Sequence, residues 1–379
     1  MTVKLTLGAG AGADLGTFDL YSNSTGSFVK FSVDAITRQQ LLNGYTTSLV
    51  PDNTTIIRVT SIGNCKNSYN STINLIVGQS IWVAGGDDNN DTIVTSSDGI
   101  TWTGRGNSTF VTNVFGIAFN GTRWVAVGNG TNSIAYSSDG INWTGVTGTS
   151  IFDYGTSIAW NGTIWVAVGR GSVNTLATSS DGINWTGRGT STLLSTVAWD
   201  GSLWVGAGGI LGVKTILTST DGITWTDRSG SFFNNYGKTV AWNGSLWVLG
   251  GTGSANTIVT SPDGITWTGR GTSSFSYSCW GIAWSDSLSL WVAVGQGTNS
   301  ISYSSDGINW TGVTGTSIFD YGTSIAWDGT IWVATGKGNN SIAHSTDGVN
   351  WTGQGISNFD NGAYSVASAP APNLYPPIT

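Results

Sequence analysis

The segment Ser96-Ser97-Asp98-Gly99-Ile100-Thr101-Trp102 is the first of seven copies of one pattern, S-x-D-G-[IV]-[NT]-W, in a chain of 379 residues. Its aspartates are Asp98, Asp139, Asp181, Asp221, Asp263, Asp306 and Asp347, which sets steps of 41, 42, 40, 42, 43 and 41 residues. The closing tryptophans are Trp102, Trp143, Trp185, Trp225, Trp267, Trp310 and Trp351. A period near forty residues marks a repeat architecture and has to be read before any single element.

Two further landmarks lie upstream of each copy. A Trp-Val step recurs at Trp82, Trp124, Trp165, Trp204, Trp247, Trp291 and Trp332, and an I/V-A-aromatic step ends at Phe119, Trp160, Trp199, Trp242, Trp284 and Trp327. Each unit therefore holds four short apolar or alternating runs, as in SIAWNG, IWVAVG, SIAYSSDG and INWTG, punctuated by Gly, Asn, Ser and Asp. That is strand and turn chemistry with no helical period. A four-stranded unit cannot cover both its faces alone, whereas a ring of seven can, so the chain is expected to be all-β: a seven-bladed β-propeller over residues 79–368. The first unit lacks the I/V-A-aromatic step, and Tyr364-Ser365-Val366-Ala367 supplies it, so the ring should be closed by the C-terminal strand.

Residues 1–78 lack the repeat and read as a small β-rich, sandwich-like domain, with strands expected over 3–7, 17–21, 55–60 and 72–77. Ile36-Thr37-Arg38-Gln39-Gln40-Leu41-Leu42-Asn43-Gly44 reads as a helix-like turn ended by glycine. Residues 369–379 form a Pro-rich tail.

The seven S-x-D-G-x-x-W copies resemble the Asp box, or bacterial neuraminidase repeat, of sialidases, sortilin-type receptors, a photosystem II assembly factor and many viral surface proteins. The resemblance covers residues 81–368 and implies a fold shared by enzymes and binders, so function has to come from the site. GYTTSLVPDNTTIIRVTSIGNCKN resembles N-terminal modules of phage structural proteins, and the WNGTIWVAVG repeats with the APAPNLYPP tail resemble viral and environmental surface proteins.

Composition narrows the functional classes. Fourteen basic against 21 acidic residues give a net charge of −7, which leaves no positive stripe for phosphates, so nucleic acid and anionic membrane are poor partners. No apolar run is long enough to span a membrane, and MTVKLTLGAGAG lacks a signal-peptide pattern, so a soluble chain is expected. Cys65 and Cys279 alone do not make a disulfide framework.

The repeat itself reads as structural. The Asp carboxylate can accept turn amides, Gly can take positive φ, and Trp can cover the hairpin. A sialidase-type glycoside hydrolase would need an arginine cluster, a Tyr and Glu pair and an acidic proton donor. The chain contains no glutamate, its single histidine is His344, and Arg105, Arg188, Arg228 and Arg270 share one repeat position just after the box. No catalytic residues and no cofactor are therefore expected. Asp87, Asp88 and Asp91, within Asp87-Asp88-Asn89-Asn90-Asp91, form the densest oxygen cluster, a calcium candidate set against a solvated turn.

Aromatic residues beside carboxylates mark the loops between units: Phe152, Asp153 and Tyr154; Phe232 and Tyr236; Phe275 and Tyr277; Phe319, Asp320 and Tyr321; Phe359 and Asp360. An exposed ring can cover a pyranose face while Asp takes its hydroxyl hydrogens, which makes these residues ligand-binding candidates; the alternative is a set of wedges between blades. The expected function is a non-enzymatic virion surface protein, such as a fibre, spike or decoration subunit. Its N-terminal domain would dock to other virion proteins, and its ring would meet a host glycan or protein, as a homo-oligomer in several copies per particle. The alternative is a cellular or secreted scaffold or assembly factor that grips a protein partner.

Overall fold

A computed structural model describes residues 81–369 apart from 89, 147–150, 191–192, 211–212, 229–231, 234 and 314–317, together with seven strands nearer the N-terminus. The chain divides into two compact units, one carrying Met1–Gln79 and the other Ser80–Pro370.

In the first unit, Thr17–Ser22 pairs with Val29–Lys30, Ile36–Thr37 and Ile56–Ile62, and Ile56–Ile62 pairs in turn with Ser71–Asn74. A separate pair joins Val3–Leu5 to Tyr45–Thr47. The helix-like turn expected over 36–44 begins instead as a strand at Ile36–Thr37, because two β-branched residues here find a partner in Thr17 and Phe18. Residues 38–44 and the tail from 370 onward lie outside the described residues.

The second unit is a seven-bladed β-propeller, with seven four-stranded antiparallel sheets. Blade 3 shows the pattern, with Tyr154–Trp160 innermost, then Trp165–Arg170, Leu176–Ser179 and Thr186–Gly187. The second strand of each blade lies between neighbouring blades and is buried on both sides, which explains why WVAVG reads as a continuous apolar run and not as an alternation. Blades join through shared apolar clusters. Val125, Val127 and Ile134 of blade 2 pack with Phe152, Ile158 and Trp165 of blade 3.

Closure follows the expected route. Ala363–Ala369 pairs antiparallel with Ile81–Gly86 and so completes blade 1 from the other end of the chain. The Asp88 carboxylate strengthens this join by accepting the Asp360 amide at 3.1 Å. Gln354 of blade 7 donates to Gly99 O of blade 1 at 3.1 Å.

Candidate functional site

The box hairpins fix the two faces of the ring. In blade 3, Trp160 pairs with Trp165 and Trp165 with Ser179, so the inner turn and the box turn lie at one end. Tyr154 pairs with Arg170 at the other end, where the loops between blades run.

In the first box, Asp98 Oδ1 accepts the amides of Ile100 and Thr101 at 2.8 and 2.7 Å and the Ser96 hydroxyl at 2.8 Å. Ser96 Oγ in turn accepts the Gly99 amide at 2.9 Å. Where the box carries Asn, as at Asn142, its side-chain amide also donates to the second carboxylate oxygen, here Asp139 Oδ2, at 2.8 Å. In six copies the tryptophan indole N–H donates to the box glycine carbonyl, for example Trp143 to Gly140 O at 2.9 Å. In blade 1 that carbonyl accepts from Gln354 instead. Gly140 has a φ of 74°, and a Cβ there would meet Trp124 at 3.1 Å and Val83 of the preceding blade at 3.2 Å, so glycine is required by both conformation and space.

These bonds hold the box carboxyls ionised. At Asp98, partial burial opposes ionisation, but the amides of Thr101 and Ile100 and the Ser96 hydroxyl outweigh it and bring the pKa down to about 2. Asp139 and Asp347 show the same balance, also at about 2. At Asp221 the amides of Thr224 and Ile223 are the larger influence, with the same result of about 2. Asp181, Asp263 and Asp306 are likewise lowered. A carboxylate so bonded is a poor base and a poor proton donor near neutrality.

The other polar candidates are also tied to the scaffold. Arg105, Arg188, Arg228 and Arg270 each donate Nε to a threonine hydroxyl in the neighbouring strand, at 2.7 to 3.1 Å. In blade 7, His344 and Gln354 occupy those two positions and bond each other at 2.9 Å. Asp88 Oδ1 accepts the Asn90 amide at 2.6 Å, and Asp91 Oδ1 accepts the Gly106 amide at 2.6 Å. Asp91 stands where Asn174 and Asn256 accept the matching glycine amides. Asp87 joins the ring closure through its backbone, its amide donating to Gly362 O at 3.0 Å. The Asp88 and Asp91 carboxylates are thus engaged with backbone amides, and no group of three or more His, Cys, Asp or Glu side chains placed to hold a metal occurs among the described residues.

The aromatic loop candidates separate into two sets. Phe152, Phe275, Phe319 and Phe359 were expected as ligand contacts, but they are at most 1% exposed and wedge between blades. Their apolar rings fill the gap where two twisted sheets diverge, and burial there outweighs any role at the surface. Phe232 is half-buried and packs on the cluster around Phe233 and Trp247. Tyr277 is 57% exposed, and Asp153, Asp320 and Asp360 are exposed, while Tyr154, Tyr236 and Tyr321 are half-buried near the axis.

The axis itself carries a feature that was not singled out in the sequence. Every inner strand has one β-bulge at the same register, between Val114 and Gly116, Gly155 and Ser157, Leu194 and Thr196, Gly237 and Thr239, Cys279 and Gly281, Gly322 and Ser324, and Ala363 and Ser365. The extra residues are Phe115, Thr156, Ser195, Lys238, Trp280, Thr323 and Tyr364, and all seven line an axial cavity of about 180 Å³. A bulge re-aims its side chain, and here seven of them converge on one space. The signal was present in the sequence, since each of these residues lies four before the inner strand's closing position, for example Lys238 before Trp242.

The rings on this rim touch one another. Phe115 lies 5.4 Å from Tyr364 and 6.3 Å from Tyr154, and Trp280 lies 6.1 Å from Tyr321, centroid to centroid. Lys238 Nζ lies 4.6 Å from the Trp280 ring centre and 4.9 Å from that of Tyr236, over which Arg170 also sits at 5.7 Å. Burial, then the Arg170 charge, lowers the Lys238 pKa. Burial, with Tyr321 and Asp87 nearby, raises that of Tyr364.

No protein-family model matches the sequence, and no curated protein matches it. Solved structures do resemble it in fold. A putative 6-phosphogluconolactonase from Bacteroides fragilis is similar over 78% of this chain and 99% of its own, with a TM-score of 0.54 and 12% identity. A protein from Lactobacillus plantarum is similar over 77% of this chain and 99% of its own, with a TM-score of 0.52 and 13% identity. At such identities the likeness concerns the propeller fold alone.

Proposed function

We propose that the chain is an Asp-box propeller acting as a non-enzymatic surface protein of a virus particle, anchored through its N-terminal unit and presenting its loop face to a host glycan or protein. The observation that carries this reading is the division of labour between residues. The seven box carboxylates are consumed by turn amides, while the axial column holds seven side chains of differing chemistry on one repeated backbone. A surface that keeps its frame and varies its lining suits recognition more than a reaction needing fixed acids and bases. The sequence resemblance to phage structural modules supports the particle setting.

The test is immunogold labelling of purified particles with antibody against residues 81–368, with mass spectrometry of the same particles and a turnover assay on sialosides and other glycosides. Labelling without turnover is the expected result. Absence from particles would replace the virion setting with that of a cellular or secreted scaffold, and turnover would overturn the non-enzymatic reading.

A further inference from the structure

We propose that the axial cavity is a binding site for a single carboxylated sugar residue, a hexuronate at the end of a glycan, with Lys238 receiving the carboxylate and Arg170 adding positive charge from outside the lining. The proposal rests on the reading of the ring as a recognition module and names the ligand chemistry of its axis.

The charge pattern comes first. Lys238 and Arg170 converge on the Tyr236 ring from blades 5 and 3. No carboxylate is paired with either among the described residues, and the charge that acts on Lys238 is Arg170 itself. Two half-buried cations held together without a counterion cost energy in the empty site, and an anion would relieve that cost. One lysine and one arginine in a chain of net charge −7 suit a single negative charge better than a polyanion.

The lining then selects the kind of anion. Phe115, Trp280 and Tyr364 line the cavity, Phe115 tilted against Tyr364 at 5.4 Å, so aromatic surface is available for a pyranose ring. Between them, among isoleucine and valine side chains, the wall carries serine and threonine hydroxyls. Those of Thr323 and Ser365 already donate to backbone carbonyls, at 2.6 and 3.1 Å, and keep lone pairs for a ligand's hydroxyl hydrogens. A volume of about 180 Å³ is below the roughly 300–1,000 Å³ of sites for drug-sized ligands, which favours one terminal residue over a chain threaded through the axis.

The experiment is saturation-transfer NMR and calorimetric titration of the full chain with D-glucuronate and D-galacturonate. D-Glucose and a short acetylated peptide with a free C-terminal carboxylate serve as comparison ligands. At least one uronate should bind, with glucose and the peptide roughly tenfold weaker or worse. Lys238→Met, which keeps the aliphatic stem between the two rings, should weaken uronate binding roughly ten- to hundredfold with an unchanged melting temperature, and Arg170→Gln, outside the lining, should weaken it by a smaller factor. Failure of both uronates to bind, binding that survives both substitutions, or preference for the peptide would overturn the proposal. Particle labelling is unaffected by any of these results, so the failure of this site and the failure of the virion reading are told apart.

Discussion

The box hairpins and the axial bulges are both sevenfold repeats, but only the hairpins repeat their side chains. Each box spends its Ser, Asp, Gly and Trp on bonds inside its own turn, so any change of residue type is a change of structure. Each bulge is held by backbone pairing on either side, as between Gly237 and Thr239, which leaves the extra residue free to be Phe, Thr, Ser, Lys, Trp or Tyr. Sequence invariance within a repeat therefore marks the frame, and variation on an invariant backbone marks the place where function can be written.

The largest test of the frame is its closure. Ending the chain at Gly362 removes Ala363–Ala369, and with it the inner strand of blade 1, exposing the edge of Ile81–Gly86. Calorimetry should then show loss of the single cooperative melting transition, because an opened ring leaves blades 1, 2 and 7 with uncovered apolar faces. A melting curve like that of the intact chain would mean that the seven blades do not depend on a closed ring.

Below closure come the wedges. Phe152→Ala should cost about 3–5 kcal/mol in denaturant unfolding, since the ring is buried between blades 2 and 3. Tyr277→Ala, on the corresponding loop between blades 5 and 6 but exposed, should cost less than about 0.5 kcal/mol. Similar losses for the two would show that the loop aromatics form one class after all.

These loops also show where sequence reading succeeds and fails. The period of the boxes, the four runs per unit and the supply of the missing strand by Tyr364-Ser365-Val366-Ala367 were legible, because each rests on local turn chemistry or on a count of elements. Phe152 and Tyr154 stand two residues apart beside the same aspartate, yet one is a wedge and the other approaches the axis. Alternation places such neighbours on one face only inside a regular strand, and Phe152 precedes the strand that begins at Tyr154. The bulge hid the axial column for a related reason: one extra residue breaks the period of two, so Lys238 and Trp280 read as irregularities before SIAW-like runs.

The boxes make a prediction in pH. Four of the folded carboxyls, Asp98, Asp139, Asp221 and Asp347, are held at about 2 against an ordinary value of 3.8, and the other three are lowered as well. A group whose pKa is depressed by folding stabilises the fold fully above its unfolded pKa and loses that contribution as pH falls through the folded one. Stability should therefore be flat above about pH 5 and decline progressively from there toward pH 2, measured by denaturant titration at each pH. Asp306→Ala should cost about 1 kcal/mol at pH 7, where three hydrogen bonds to Oδ1 are lost from an exposed turn, and much less at pH 2. An equal cost at both pH values would mean that the box carboxylate contributes through shape and not through charge.

A further small effect bears most directly on the contrast between frame and lining. Trp280→Thr places on blade 6 the residue that blades 3 and 7 already carry at the same bulge, Thr156 and Thr323. The backbone at that register accepts threonine twice in the native ring, so the substitution should shift stability by no more than about 1 kcal/mol despite removing a tryptophan. The same exchange at Trp291, buried completely in the next strand of that blade, should be as damaging as the loss of a wedge. If Trp280→Thr proved equally damaging, the axial column would belong to the frame, and its variety would reflect blade-by-blade packing instead of recognition. If the exchange is tolerated, the rings beside Lys238 are held there at little cost to the fold and are free to serve a ligand.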